Sequence, residues 1–315
     1  CGADPVFVDI DPVTFNLSAD NLSSILDENF EQGRSELRYR MTGGTGESGK
    51  LAAILLVHQM GMPANLGRIL PIAKENKIPV IEDAACAAGS QVSFDDGTSW
   101  EEIGRPHGAI ACFSFHPRKI ITTGEGGMLT TNDSSFDESF RLLRQHAMTI
   151  SDTARHDAGS VIFEEYMTTG FNYRMTDMQA AMGIQQLSRL REIIDRRREL
   201  ACGYSDFLSG IDEITAPGEP SWARSNWQSY CVRLADELDQ RTFMEAMLEQ
   251  GVSTRRGIMC AHREKPYLGK AAYWPLKESE KAQDQGVLLP IFHEMTSVDI
   301  TTIKDALKTS IGKSR

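Results

Sequence analysis

Two ionisable side chains stand where chemistry is easiest to build. Lys119 closes the stretch Ala111-Cys-Phe-Ser-Phe-His-Pro-Arg-Lys119, and Asp83 sits in Val80-Ile-Glu-Asp-Ala-Ala85. Ala111 to Phe115 reads as a short strand, which Pro117 stops because proline cannot donate to a ladder. Lys119 then lies on a loop closed by Gly124, Gly126 and Gly127, residues that permit tight packing or positive φ. A partly desolvated lysine amine loses its proton more easily and becomes a nucleophile towards carbonyl carbon, which is what a Schiff-base lysine needs. A lone lysine after a strand is usually an ordinary surface residue, so the reading depends on what surrounds it. Asp83 follows the apolar strand Ile78–Ile81, and open α/β sheets bind ligands at the carboxyl ends of their strands. The alternative for such an acid is a carboxylate that caps the next turn.

Elements with recognisable periods position these residues. Val6 to Ile10 reads as a buried strand ending in acids. Ser18 reads as the N-cap of a short helix, with Leu22, Ile25 and Leu26 on one face. Residues 28–50 read as an exposed polar loop. A strand–helix–strand unit follows: Ala52–Val57, Asn65–Asn76 with Leu66, Ile69, Leu70 and Ala73 on one face, and Ile78–Ile81. Crossovers of this kind are right-handed and build parallel sheets. Gly108 to Thr131 gives two strands flanking Lys119, and Asp133–His146 a helix with Phe136, Phe140 and Leu143 as its apolar face. Thr176 and Gln179 form a capping box. The long helix they open carries Ala180, Ile184, Leu187, Leu190 and Ile194, and ends in Arg196-Arg-Arg198, read as a solvated face complementing the helix C-terminus. Strands Tyr230–Leu234 and Gly286–Leu289 then alternate with helices Arg241–Gln250 and Ser297–Ser310. The expected organisation is a large α/β domain over 1–198 and a smaller α/β domain over 199–315.

Composition narrows the function classes. The chain has 315 residues, 41% of them hydrophobic and 24% charged, ample for a core. Its net charge of -11 disfavours non-specific binding to nucleic acid or anionic membrane. No apolar run approaches the roughly 20 residues that span a bilayer. Six cysteines are scattered without a C-x-x-C pair, which reads as reduced cytoplasmic thiols, neither a disulfide framework nor a metal site. The opening Cys1-Gly-Ala-Asp-Pro5 runs almost directly into the first strand, as expected of a fragment of a longer chain. One motif competes for attention: Gly44-Thr-Gly-Glu-Ser-Gly-Lys50 matches G-x-G-x-x-G and nearly matches a phosphate-binding loop. Leu51 stands where Mg²⁺ needs Ser or Thr, and the flanking strand and helix are lacking, so the match carries little weight.

Asp83, Lys119 and Ser114 at one sheet rim suit pyridoxal phosphate: an amine for its aldehyde, an acid to keep its ring nitrogen protonated, and a hydroxyl for its phosphate. Six motifs then resemble, in order and over the whole chain, the DegT/DnrJ/StrS family of sugar aminotransferases. They are Pro5-Val-Phe-Val-Asp-Ile-Asp11, Val57-His-Gln-Met-Gly-Met-Pro-Ala64, Val80-Ile-Glu-Asp-Ala-Ala85, Phe113-Ser-Phe-His-Pro-Arg-Lys119, Gly124-Glu-Gly-Gly127 and Gly170-Phe-Asn-Tyr-Arg-Met175. The resemblance implies fold type I of the pyridoxal-phosphate enzymes: a large mixed-sheet α/β/α domain and a smaller C-terminal α/β domain. It implies transfer of an amino group, with glutamate as donor, to a nucleotide-linked keto-sugar in deoxyamino-sugar or surface polysaccharide biosynthesis, by a cytoplasmic homodimer. Lys119 takes the place of the Schiff-base lysine, Asp83 of the pyridinium partner, and Ser114 of a phosphate ligand. Asn172 takes the place of a residue that reaches the neighbouring subunit's cofactor. His116, Arg174, His262 and Tyr267 fall in regions bordering the substrate. Cys86 stands where the family often has Gln or His for the cofactor's phenolic oxygen, and it is a much weaker donor.

The same resemblance implies a further N-terminal portion before Ala3, with a phosphate-binding turn and a ring-stacking aromatic. Without it, residues 1–315 are expected to hold the cofactor poorly and turn over little substrate. Two other readings compete: a cofactor-poor family member with a binding or sensing role, and a sugar dehydratase. Lys119 argues against the dehydratase, which has histidine at that position.

Overall fold

The computed structural model describes residues 2–32, 37–39, 49–150, 155, 158–268 and 274–315. Of the glycine-rich motif at 44–50, only Gly49 and Lys50 fall within them. Helix α1 (Ala19–Asn29) starts where the sequence places it, with the Ser18 hydroxyl accepting from the Asn21 amide and Leu22, Ile25 and Leu26 buried. Part of the expected loop over 28–50 is a hairpin of β1 (Phe30–Gln32) and β2 (Leu37–Tyr39). Its ends are anchored because Phe30 and Leu37 are buried in the first core.

Strands β3 (Ile54–Val57), β4 (Val80–Asp83), β7 (Ile110–Ser114) and β8 (Gly127–Thr130) form the central sheet in the order β3-β4-β7-β8. The first three are parallel, and β8 returns antiparallel to β7. Helix α2 (Leu66–Glu75) makes the crossover between β3 and β4. Asn65 caps it by accepting from the Arg68 amide. The core here gathers Leu56, Leu66, Ile69, Val80 and Ala84. Two short strands, β5 (Gln91–Val92) and β6 (Glu101–Glu102), pair beside β10 (Ala223–Arg224).

The second core gathers Leu200, Tyr204, Tyr230, Phe243, Val287 and Leu307. Its antiparallel sheet runs β12 (Arg255–Arg256), β13 (Gly286–Leu289), β11 (Tyr230–Leu234) and β9 (Ile214–Thr215). Helices α6 (Gln240–Glu249), α7 (Lys277–Gln285) and α8 (Ser297–Ser314) belong to the same half of the chain. Among the described residues, no helix is long and apolar enough to cross a membrane.

Three expectations need correction. Val6–Ile10 is not a strand, and only Ile10 makes a bridge, to Leu17. Its polar groups are engaged elsewhere: the Phe7 carbonyl accepts from Trp274 Nε1, and the buried Asp9 carboxylate accepts from the Glu278 and Ser279 amides and the Ser279 hydroxyl at the start of α7. Burial would raise the Asp9 pKa, but these donors outweigh it and hold the carboxyl below its ordinary value. Second, helix α3 (Ser134–Leu143) buries none of its residues, although Phe136 and Phe140 stack along it. Third, the long helix breaks at Arg189 into α4 (Asp177–Ser188) and α5 (Leu190–Leu208). The Thr176–Gln179 capping box is present, but Ile184 and Leu187 are exposed. The arginine run lies inside α5, where Arg197 is buried.

Leu56 has no solvent exposure and lies in a strand that leads to the rim, so Leu56→Ala should lower the unfolding free energy by about 2–5 kcal/mol in chemical denaturation. A loss below about 1 kcal/mol would contradict its place in the core.

Candidate active site

The carboxyl ends of β3 and β4 are level, and β7 runs two residues further, to Ser114. Val57 is opposite Asp83, and Asp83 opposite Cys112. The ladder continues past the strand ends, since the His58 amide donates to the Asp83 carbonyl at 3.0 Å and the Ala84 amide to the Cys112 carbonyl at 2.9 Å. Asp83 is therefore held by bonds on both sides of its own strand. One of its carboxylate oxygens accepts from the Ala85 amide at 3.0 Å, so it does cap the next turn. Half-buried Cys112 is pushed above its ordinary pKa by burial first, then by the charges of Asp83 and Glu82.

Successive side chains of a strand point to opposite faces, and the pair Glu82-Asp83 exploits this. Glu82 is fully buried beneath the rim. It accepts from His58 Nε2 at 3.1 Å and from the amides of His107 and Gly108 at 2.8 and 2.6 Å. His58 Nδ1 accepts from the Ala64 amide at 3.0 Å, which leaves the proton on Nε2, facing Glu82. Burial raises the Glu82 pKa, yet the bonds it accepts from His58 and the Gly108 amide hold it below the ordinary value.

After β7 the chain makes a closed loop. The Phe115 amide donates to the Gly126 carbonyl, and the Thr123 amide to the Phe115 carbonyl. Gly124 turns at φ +81°, where a side chain would be strained. Within this loop the Lys119 amide donates to the His116 carbonyl, and the Lys119 amine donates to Cys86 Sγ at 3.2 Å. Both side chains are half-buried. The Ser114 hydroxyl ends β7 and accepts from the His116 amide at 3.3 Å. His116 Nδ1 accepts from the Arg118 amide, and its Nε2 lies 3.9 Å from Glu125.

The sequence-predicted residues thus fall into separate groups. Asp83, Cys86, Ser114, His116 and Lys119 share the rim loops. Asn172 and Arg174 are exposed on a segment bonded to the end of α3, with the Tyr173 amide donating to the Arg144 carbonyl. His262 bonds Glu280 at 3.0 Å, and both His262 and Tyr267 pack on the Phe7 ring. Beside them opens a cavity of about 160 Å³, lined by Gln59, Met60, Met259 and Ser279 among others. Sequence reading passes over one residue at the rim. Gln228 accepts the Ile120 N–H at 2.9 Å and donates to the Arg118 carbonyl at 2.7 Å, on either side of Lys119. Only its place in the polar stretch Ser225–Ser229, just before β11, hinted at a buried connection.

A parallel rim carrying an acid and a lysine loop, with a second α/β unit built on an antiparallel sheet, defines the fold of the type I pyridoxal-phosphate transferases. The sequence profile of the DegT/DnrJ/EryC1/StrS aminotransferase family matches residues 1–308, and the chain belongs to that family. It is 28% identical to the uncharacterized protein MJ1066 of Methanocaldococcus jannaschii, covering 99% of this chain and 75% of that one. Its fold superposes on the aminotransferase TlmJ from Streptoalloteichus hindustanus with a TM-score of 0.80 at 28% identity, covering 99% of this chain and 74% of TlmJ. It also matches DesI, solved in the presence of its TDP-sugar product, with a TM-score of 0.77 at 25% identity, covering 99% and 71% of the two chains.

The neighbouring acids should separate cleanly in stability measurements. Glu82→Gln should lower the unfolding free energy by about 2–3 kcal/mol at neutral pH, because a charge-assisted buried bond is weakened. A depressed folded-state pKa gives stability that is present above the unfolded value and lost as pH falls through the folded one. The difference between wild type and Glu82→Gln should therefore hold above about pH 5 and shrink below about 4.3. A difference that grows on acidification would refute the ionised assignment.

Proposed function

We propose that the protein is a pyridoxal-phosphate-dependent aminotransferase that passes an amino group, with glutamate as donor, to a nucleotide-linked keto-sugar. Its setting is deoxyamino-sugar or surface polysaccharide biosynthesis in the cytoplasm. The carrying observation is the half-buried Lys119 amine against Cys86, in a loop adjoining the strand that ends at Asp83. The similarity to DesI, solved in the presence of its TDP-sugar product, supports the substrate class.

The donor set fits the cofactor: Lys119 for the aldehyde carbon, Asp83 for the ring nitrogen, Ser114 for the phosphate and Cys86 for the phenolic oxygen. When bound, pyridoxal phosphate supplies an aldehyde for covalent attachment and a ring that withdraws electrons from the carbon being aminated. The chain's own residues do the rest. Asp83 is held at the rim on both sides, so its carboxylate is available as a fixed negative charge for a protonated ring nitrogen. Lys119 Nζ, once displaced by the amino donor, is placed to carry a proton to and from the substrate carbon as general base and acid. His116 and Arg174, with His262 and Tyr267 at the cavity beside Phe7, are assigned the substrate border.

We place the large domain over 1–198 and the small domain over 199–315. A homodimer with shared sites is supported by the exposed apolar surface around Asn172, where Phe163 is 86% and Met178 83% exposed, with Tyr173 and Ile184 nearby in sequence.

Lys119→Ala should abolish transamination and borohydride-trapped attachment of the cofactor while leaving the melting temperature within a few degrees. Wild-type turnover would end the assignment. In the dimer, mixing inactive Lys119→Ala with inactive Asn172→Asp subunits should restore part of the activity, because one of the two sites regains both groups. No rescue in verified hybrids argues against donation across the interface.

A further inference from the structure

The lysine loop is fastened from the far half of the chain. The segment Ser225–Ser229 leads into β11, and it contacts the three loops that follow β3, β4 and β7. Gln228 grips the backbone on both sides of Lys119 through Arg118 and Ile120. The Asn226 side-chain amide donates to the carbonyls of Cys86 and Ala88, both at 2.9 Å. Its oxygen accepts from the Gln228 backbone N–H at 2.8 Å, so the Asn226 side chain also holds the backbone that carries Gln228. The Asn226 amide donates to Ser90 Oγ, which donates to the Gly61 carbonyl, and the Ser229 amide donates to the Met60 carbonyl. A Cβ at Gly61 would lie 2.0 Å from Asn226 Oδ1, so this approach admits no side chain there.

Two features show that holding this segment is costly. Trp227 has φ +50°, a left-handed conformation that a bulky residue adopts only when its surroundings over-determine it. Arg197 is buried and bonds two successive carbonyls, Trp227 at 2.8 Å and Gln228 at 3.3 Å. Among the described residues its Nε has no partner, and burial lowers its pKa to about 10. Arg198, the next residue, holds the Ser225 carbonyl at 2.9 Å. Strain and a buried guanidinium spent on one short segment mark it as a place where position matters more than stability.

We propose that Asn226 and Gln228 are positioning residues that set the Lys119 amine against the Cys86 loop and Asp83, so that the small-domain side of the molecule fixes the geometry of the lysine. The proposal rests on Lys119 being the amine that takes the cofactor. Gln228 is suited to the task because its side-chain amide offers a donor and an acceptor at once, matching the carbonyl and N–H that flank the lysine.

The test uses the full chain, with Gln228→Ala and Gln228→Glu. One readout is the rate at which pyridoxal phosphate is trapped on Lys119 by borohydride, mapped by peptide mass spectrometry and taken as a ratio to wild type at each pH. The other is hydrogen exchange at the Ile120 amide. Gln228→Ala should slow trapping about tenfold and speed Ile120 exchange about tenfold. Gln228→Glu should match it near pH 8, where a carboxylate faces the Arg118 carbonyl. Its ratio should climb towards wild type as pH falls towards about 4.3, because the protonated acid regains a donor beside its acceptor. Should Gln228→Ala fail to fold, the pH response of Gln228→Glu decides alone. A trapping ratio near one in a folded Gln228→Ala variant, unchanged Ile120 exchange in it, or a Gln228→Glu deficit that does not shrink on acidification would each overturn the proposal. If wild type itself traps no cofactor on Lys119, the aminotransferase reading fails, while Ile120 exchange still reports whether the clasp exists.

Discussion

Glu82 and Asp83 sit side by side in one strand, and the pleat sends them to opposite faces. On one face, burial would neutralise Glu82 were it not for His58 and two backbone amides, which supply enough donors to keep the carboxylate charged. Those donors come from the residue just after β3 and from the turn just before β7. A single buried carboxylate thus ties the segments flanking its neighbouring strands to β4. On the other face, Asp83 is presented at a rim set by the parallel register, opposite Val57 on one side and Cys112 on the other. The exposed chemistry therefore depends on the buried ion, and a change at Glu82 propagates to the rim through the ladder itself.

The lysine loop is built by a different principle. It is closed locally by bonds at Phe115 and shaped by Gly124, but its position is not set by the sheet alone. Contacts more than 100 residues away in sequence fasten both sides of Lys119 and the loop of Cys86. The backbone N–H and C=O groups of these loops need partners wherever they are shielded from water. Side chains of the second half of the chain supply them. Arg196, Arg197 and Arg198 in turn bond carbonyls at Met295, Trp227 and Ser225, so a run that reads as a solvated helix end is engaged within the fold.

The apolar surface of α3, α4 and the segment between them stands apart from both cores. Phe136 and Ile184 lie on faces of helical period that ordinarily signal an interior, yet they are exposed in the single chain, as are Phe163 and Met178. Hydrophobic period reports that a face is apolar; it does not report what covers it.

Local rules written in the residue types account for much of this protein. Ser18, Asn65 and Thr176 are caps whose side chains bond nearby amides, so their helices start where their types demand. The apolar run ending in Asp83, the strand before Lys119 and the six ordered motifs were enough to place the chain in its family and to name the rim residues. Pairings across long sequence separations were settled by packing alone. Val6–Ile10 has the composition of a strand, but its Asp9 carboxylate and Phe7 carbonyl are claimed by α7 and Trp274. The burial of Arg197 and the grip of Gln228 on Lys119 have no local signature, because the groups that satisfy them lie 30 to more than 100 residues away. Local propensity writes which backbone groups will need partners; only the packed fold decides which side chains answer them.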